Sequence, residues 1–239
     1  MAAVADTRRV RDANRSRRAI LDAAETLFSQ RGFEAVSLQE IGNTAGVSRG
    51  TPNYFFGTKQ ELYLAVLERV FNDREEATRR AFELLHAWCR SVQPGSLRQP
   101  LTRAIESYMS FLLARPAFVR LIGWEELRGG QGLRRAQRES SAMQEALAAV
   151  RAVRHRRSLR DFDVNDAVLV LVSLTFSPLS QQATFMTALG RDLADPAVRR
   201  KHIKLVVSQM LQLFGEPIGH GTRTSSSVAV PAAKLVEKR

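Results

Sequence analysis

Cysteine is almost absent: Cys89 is the only one in 239 residues. No disulfide can form within the chain and a thiolate-based metal cluster is excluded. This fits a reducing compartment, so a cytoplasmic location is expected. Histidine is scarce too. His86, His155, His202 and His220 stand apart, without ligand spacing among themselves or with Cys89, so neither metal nor cofactor is expected. The longest apolar run, 168–176, is far short of a bilayer span. The N-terminus is arginine-rich and lacks the apolar centre of a signal peptide, so no membrane partner is expected. The sequence holds no phosphate loop, HExxH, nucleophile elbow or arguable cysteine–histidine constellation, which counts against an enzyme. Long segments of period two are also missing, and the fold class expected is all-α.

Basic charge, by contrast, is plentiful. The chain has 36 Lys+Arg against 24 Asp+Glu, a formal charge of +12, which biases the partner list toward nucleic acid or another anionic surface. Arginine far outnumbers lysine, which suits bidentate contacts, although a generally arginine-rich composition gives the same count. An apolar fraction of 44% with 25% charged residues describes an ordinary globular chain.

Helical period takes over near Arg15, after a polar stretch at 1–14 read as a flexible basic arm. Ile20, Ala23, Ala24, Leu27 and Phe28 form one stripe, and Gly32 stands at a C′ position. Ser37-Leu38-Gln39-Glu40 reads as a capping box opening a short helix that carries Leu38, Ile41 and Ala45 inward and stops at Gly46. Ser48 offers the cap of the next short helix, which puts Pro52 at N4, so that the helix is expected to begin tight or irregular, or effectively one turn late. Thr58-Lys59-Gln60-Glu61 is a second capping box, opening a longer helix with Leu62, Val66, Leu67 and Val70 on one face. A short helix, a turn at Gly46 and a second short helix make helix-turn-helix spacing. Arg15, Arg17 and Arg18 upstream and Lys59 downstream are sensible places for phosphate contacts.

The rest of the chain also reads as helical. Leu101, Ile105, Tyr108, Met109 and Leu112 share a stripe, Pro116 opens a further helix, and the glycines at 129, 130 and 132 interrupt the chain before a helix at about 133–157. Asp163 caps a helix that is apolar nearly all round to Phe176. Asp195-Pro196 starts the last helix, which Gly215 ends. Residues 218–239 read as a flexible tail. The basic run at 151–160 reads as a solvated face, an anion site or an added nucleic-acid contact. The two apolar C-terminal helices fit either an internal core or a homodimer interface built on Leu169, Leu171, Val172, Phe176, Ile203, Val206, Val207, Met210, Leu211 and Phe214.

The segment from Ser37 to Tyr63, with the helix from Ala19 to Phe33 before it, strongly resembles the N-terminal DNA-binding domain of TetR-family transcriptional regulators, over about residues 13–68. The resemblance implies a three-helix reading domain at 15–62 and a helical effector-binding and dimerisation domain at 63–217. It further implies a homodimeric repressor on a palindromic operator in double-stranded DNA, released by a small-molecule effector. Matched residue by residue, Ser37 begins the second helix beside phosphate, Ser48, Arg49 and Thr51 open the recognition helix, and Lys59 sits at the next helix start beside phosphate. Asn53 stands where the family most often has tyrosine, Tyr54 holds an aromatic or histidine position, and Phe55-Phe56 pack the helix inward. Pro52 departs from the family's usual leucine, and Gly57 stands where the family often has proline.

Arg49 suits guanine O6 and N7, Asn53 suits adenine, Thr51 a thymine methyl or a phosphate, and Tyr54 a phosphate. Arg49 and Asn53 are also consistent with solvated side chains, and Tyr54 with partial packing into the core. Arg17 and Arg18 are candidate backbone braces. Tyr108, Phe111, Trp124, Met143 and Phe176 read first as ordinary core and second as candidates for an effector pocket. The alternatives are a partner-binding or structural helical protein without specific DNA contact, and an activator using the same reading domain.

Overall fold

The computed structural model describes residues 2–91, 95–135, 141–155 and 161–215, all of it helix and connecting turns. The tail read at 218–239 lies outside the described residues. So do positions 136–140 and 156–160, on which parts of the helix expected at 133–157 and of the basic run fall.

Helix α1 (Ala2–Arg31) starts well before the apolar stripe does. Residues 10–15 are exposed, so no stripe marks this part. It is instead rich in residues that tolerate helix, with an Asp12–Arg15 pair at 3.4 Å. From Ile20 onward α1 is buried through Ile20, Ala23, Ala24 and Phe28. Helix α2 (Leu38–Thr44) is capped by Ser37, whose hydroxyl accepts the Glu40 N–H at 3.2 Å. The other half of the expected capping box is not made. Glu40 turns to Arg31 at the end of α1 instead, where a charged partner offers more than a backbone N–H.

Helix α3 (Thr51–Phe56) is capped by Gly50, not by Ser48. The Ser48 carbonyl accepts the Thr51 N–H at 3.0 Å, and the two hydroxyls lie 2.6 Å apart. Residues 48–51 therefore form a turn, and the helix starts late enough to place Pro52 in its first two positions. There a missing N–H costs nothing, because first-turn amides have no acceptor within the helix. The Pro52 ring is buried against α2 at Gly42. Helix α4 (Lys59–Arg90) opens with the full capping box: Thr58 accepts from Glu61 N at 3.2 Å, and the Glu61 carboxylate accepts from Thr58 N at 2.7 Å. The bond from Thr58 N, and then one from the Thr58 hydroxyl at 2.8 Å, hold the Glu61 carboxyl below the usual carboxylate range.

At 32 residues, α4 is about 48 Å long and serves two cores. Leu62, Tyr63, Val66, Leu67, Val70 and Phe71 pack with α1 to α3 and with Phe118, Val119 and Leu121. Ala81, Phe82 and Leu85 do not reach that cluster. The expected boundary between 62 and 63 thus falls inside one helix whose next turns still belong to the N-terminal core. Helices α5 (Arg98–Ala114), α6 (Pro116–Leu127), α7 (Gln131–Arg135), α8 (Ser141–Arg154), α9 (Val164–Ser180) and α10 (Pro196–Phe214) complete the chain, with a π-helical turn at Gln182–Met186. Starts at Pro116, Asp163 and Asp195 and the stop at Gly215 fall where the sequence places them. Within the stretch read as one helix, Gln131–Arg135 and Ser141–Arg154 are helical, and positions 136–140 between them lie outside the described residues.

The second core joins α4, α5, α8, α9 and α10, while α6 leans toward α1. His202 of α10 donates its Nε2–H to the Leu174 carbonyl of α9 at 2.7 Å, fixing that pair. Among the described residues no helix is long and apolar enough to cross a membrane.

Candidate nucleic-acid interface and adjoining cavity

Burial divides α3 into two faces. Pro52 and Phe56 are buried and Phe55 packs beside them, a helical spacing that anchors one side. Asn53 and Tyr54 are exposed on the other, as are Ser48 and Arg49 in the preceding turn; Tyr54 is 82% exposed. A Tyr54 ring with so little cover gains nothing from packing beyond its edge contact with Phe55 at 5.1 Å. Thr51 is half-buried and tied to Ser48. Arg17 of α1 lies over the Phe56 ring at 4.9 Å, so it is exposed next to the end of α3. Arg18 instead lines a polar groove with Asp22, Glu25, Arg69 and Arg115, away from the α3 group. Ser37 is exposed at the start of α2.

Lys59 is partly engaged. Its ammonium sits 4.3 Å from the Phe33 centroid and donates to the Glu34 carbonyl at 3.3 Å. Arg128 covers the same ring at 4.4 Å. An ammonium carries three N–H donors, so one carbonyl does not exhaust it.

Three further joints tie this domain to α6. Glu125 is fully buried and accepts from the Tyr63 hydroxyl at 2.7 Å, the Leu133 N–H at 3.0 Å and Arg128 at 3.2 Å. Burial, then the bond to Glu125, pushes the Tyr63 hydroxyl well above its ordinary pKa. A Cβ at Gly132 would lie 2.7 Å from Glu125 Oε1 and 2.9 Å from Leu67, so a side chain there would push on the carboxylate. Trp124 donates its indole N–H to the Ser29 carbonyl at 3.2 Å. Its ring lies so near Gly32 (φ 75°) that a side chain there would meet it at 2.9 Å. Arg115, at the corner between α5 and α6, joins Glu25 of α1 and Asp73 of α4, and Arg69 joins Asp22 and Glu25.

A cavity of about 50 Å³ lies between α4, α5, α8 and α9. Of the five residues expected in a pocket, Tyr108 and Met143 line it; Phe111, Trp124 and Phe176 do not. Phe111 and Phe176 close on Phe118, at 5.7 and 6.3 Å, and Trp124 is spent on α1. Missing from the sequence reading is Arg74, which lines the cavity and lies over the rings of Phe71 and Phe118 at 4.8 and 5.6 Å. A signal was present. Leu67, Phe71, Arg74, Thr78, Phe82 and Leu85 follow steps of three and four, which places an arginine and a threonine in an apolar stripe. Glu125 was missed because a lone glutamate near the end of a helix resembles any solvated one.

Of the residues expected at a dimer interface, Leu169 is 64% exposed. Ile203, Val206, Val207, Met210, Leu211 and Phe214 are buried in the chain's own core, because α10 lies against α5 and α9. Leu171 and Val172 line the cavity. Phe185, Leu189 and Leu205 are exposed apolar residues that the sequence reading passed over. Among the described residues no group of three or more His, Cys, Asp or Glu is placed to hold a metal ion.

Two family models match the chain. The one described as bacterial regulatory proteins, tetR family, matches residues 20–66. The one described as tetracyclin repressor-like, C-terminal domain, matches residues 98–209. The chain is 26% identical over 195 residues to the HTH-type transcriptional repressor NicS of Pseudomonas putida, covering 78% of this chain and 86% of that one. It is 40% identical over 65 residues to the HTH-type transcriptional regulator RutR of Escherichia coli, 27% of this chain and 31% of that one. The crystal structure of a TetR family transcription regulator from Marinobacter aquaeolei superposes with a TM-score of 0.60 at 21% identity, over 86% of this chain and 97% of that one. With its helix-turn-helix at the N-terminus and its helical bundle behind, the chain belongs to the TetR family of DNA-binding transcription regulators.

Proposed function

We propose that the chain works in the cytoplasm as a homodimeric repressor that reads a palindromic operator and is released by a small-molecule effector. The observation that carries the reading is the two-faced α3. Its apolar side is sunk in the core, while Arg49, Asn53 and Tyr54 stand clear beside Arg17. In the proposed complex Arg49 reads guanine and Asn53 adenine. Ser37, Ser48, Thr51, Tyr54, Arg17 and Lys59 hold phosphate or the groove edge. Arg18 plays a lesser part, from the neighbouring groove. The similarity to a repressor over most of the chain supports repression as the outcome.

A single short helix reads few bases, and a two-fold pair doubles the site. Leu169, Phe185, Leu189 and Leu205 are the exposed apolar side chains on the C-terminal helices and their connection, and they support an interface there. The reading domain then comprises about 15–62 and the effector and dimer domain about 63–217. The joints at Arg115, Trp124 and Glu125 give α6 a grip on α1 and α4, so a ligand that moves α6 relative to α4 reorients α3.

The test is selection of bound fragments from the surrounding genome. The expected result is an inverted repeat whose binding weakens steeply with salt. Equal binding to random DNA would refute the proposal.

A further inference from the structure

We propose that the cavity between α4, α5, α8 and α9 takes a small apolar monocarboxylate whose carboxylate meets Arg74 and Tyr108. This rests on the ligand-responsive reading above and names the chemistry of that site. Among the described residues the lining holds one cation, Arg74, and no Asp, Glu, Lys or His. Glu75 acts on Arg74 electrostatically from the next position of α4 but does not line the cavity. Tyr108 is a hydrogen-bond donor here, because burial raises its hydroxyl pKa above the ordinary value. The Thr175 hydroxyl is spent on the Leu171 carbonyl at 2.8 Å.

One end of the cavity thus offers an arginine and a phenol. The remaining wall, with Phe82, Leu101, Ile105, Leu171 and Val172, is apolar apart from Thr78 and Thr175. A half-buried guanidinium favours an anion over a neutral isostere and repels an amine.

Size limits the ligand. A 150 Å³ cavity accepts benzene, and this one measures about 50 Å³. Met143 forms part of the wall, is 38% exposed, and has the flexibility to swing aside. As it stands the cavity fits a short acyl chain, and one small ring enters only once Met143 swings aside. Arg74 also carries the signal outward. Its guanidinium rests on Phe118 of α6, so pairing with a carboxylate alters the contact that sets α6 against α4.

Calorimetry on the full chain tests this with butyrate, hexanoate and benzoate, their amides, and butylamine, against wild type, Arg74→Gln and Tyr108→Phe. Each acid is expected to bind at least about tenfold more tightly than its amide, with no heat from butylamine. Arg74→Gln should erase the difference. Tyr108→Phe, which keeps the ring, should reduce acid affinity a few-fold while circular dichroism stays unchanged, so the claim stands open to refutation even if Arg74→Gln fails to fold. Equal acid and amide affinities, or no acid binding, would overturn the proposal. Operator release is followed in parallel by fluorescence anisotropy. Acid binding without release supports the ligand class and refutes the ligand-responsive reading. Amide or amine binding with release does the reverse.

Discussion

Replacing Tyr63 by Phe isolates one hydroxyl at the joint between the reading domain and α6. The ring is fully buried and keeps its edge contacts with Phe28 at 5.1 Å and Phe33 at 5.0 Å, so packing is conserved. What is lost is a 2.7 Å bond to a carboxylate that is itself fully buried. A hydrogen bond to a charged group contributes about 1.5–3 kcal/mol. For a chain of this size each kcal/mol moves the melting temperature by roughly 2–4 °C, so a fall of about 3–12 °C is expected. Glu125→Gln should cost more, about 3–5 kcal/mol, because Arg128 loses its buried counter-charge and an amide N–H meets donors. Urea unfolding of the single and double variants gives the coupling between the two groups. A Tyr63→Phe loss under about 0.5 kcal/mol would refute the claim that this bond holds α4 to α6.

Other outcomes follow from the same contacts. Tyr63 has its pKa raised in the folded chain, so its contribution is intact below its ordinary value near 10. It drains away as pH rises beyond that, where the unfolded tyrosine ionises and the folded one does not. Wild type should therefore lose stability faster than Tyr63→Phe between about pH 9 and 11, and parallel pH–stability curves would contradict this. Glu25→Gln removes the shared partner of Arg69 and Arg115 at a site only 11% exposed and should cost about 2–3 kcal/mol in urea unfolding. No change would show that the joint is slack. Arg49→Ala should weaken operator binding by about 1–3 kcal/mol and relax preference at one base pair, as read by anisotropy on single-base operator variants. Equal losses on every sequence would place Arg49 on phosphate. Pro52→Leu should lower stability by about 1 kcal/mol, through the lost chain restriction and a bulkier side chain against α2. A stabilised variant would contradict the packing given to that ring.

Where local rules met no competitor, sequence and structure agree. Thr58 with Glu61, Asp163, Asp195-Pro196 and Gly215 mark helix ends by chemistry confined to a few residues, and the helices end there. Long-range competition is where the reading slipped. Glu40 was assigned to its own cap, but Arg31 on another helix takes it. Ser48 was assigned as a cap, yet Pro52 needs a first-turn position and shifts the start to Thr51. Periodicity shows that α10 has a wide apolar face but not what covers it. Here its own chain covers Ile203, Val206, Val207, Met210, Leu211 and Phe214, leaving Leu205, like Leu169 of α9, outward. The aromatic search for a pocket found Tyr108 and passed over Arg74, whose place in an apolar stripe was the better clue.

The central claim is that α3 reads DNA as one half of a two-fold pair. Deep sequencing of genomic fragments bound by the full chain, followed by anisotropy on the recovered site and on each half-site alone, tests it most directly. The account predicts an inverted repeat with half-sites about one helical turn, or a multiple of it, apart, and much weaker binding to one half. Enrichment of no sequence over random fragments, or equal affinity for a half-site and the whole, would contradict it.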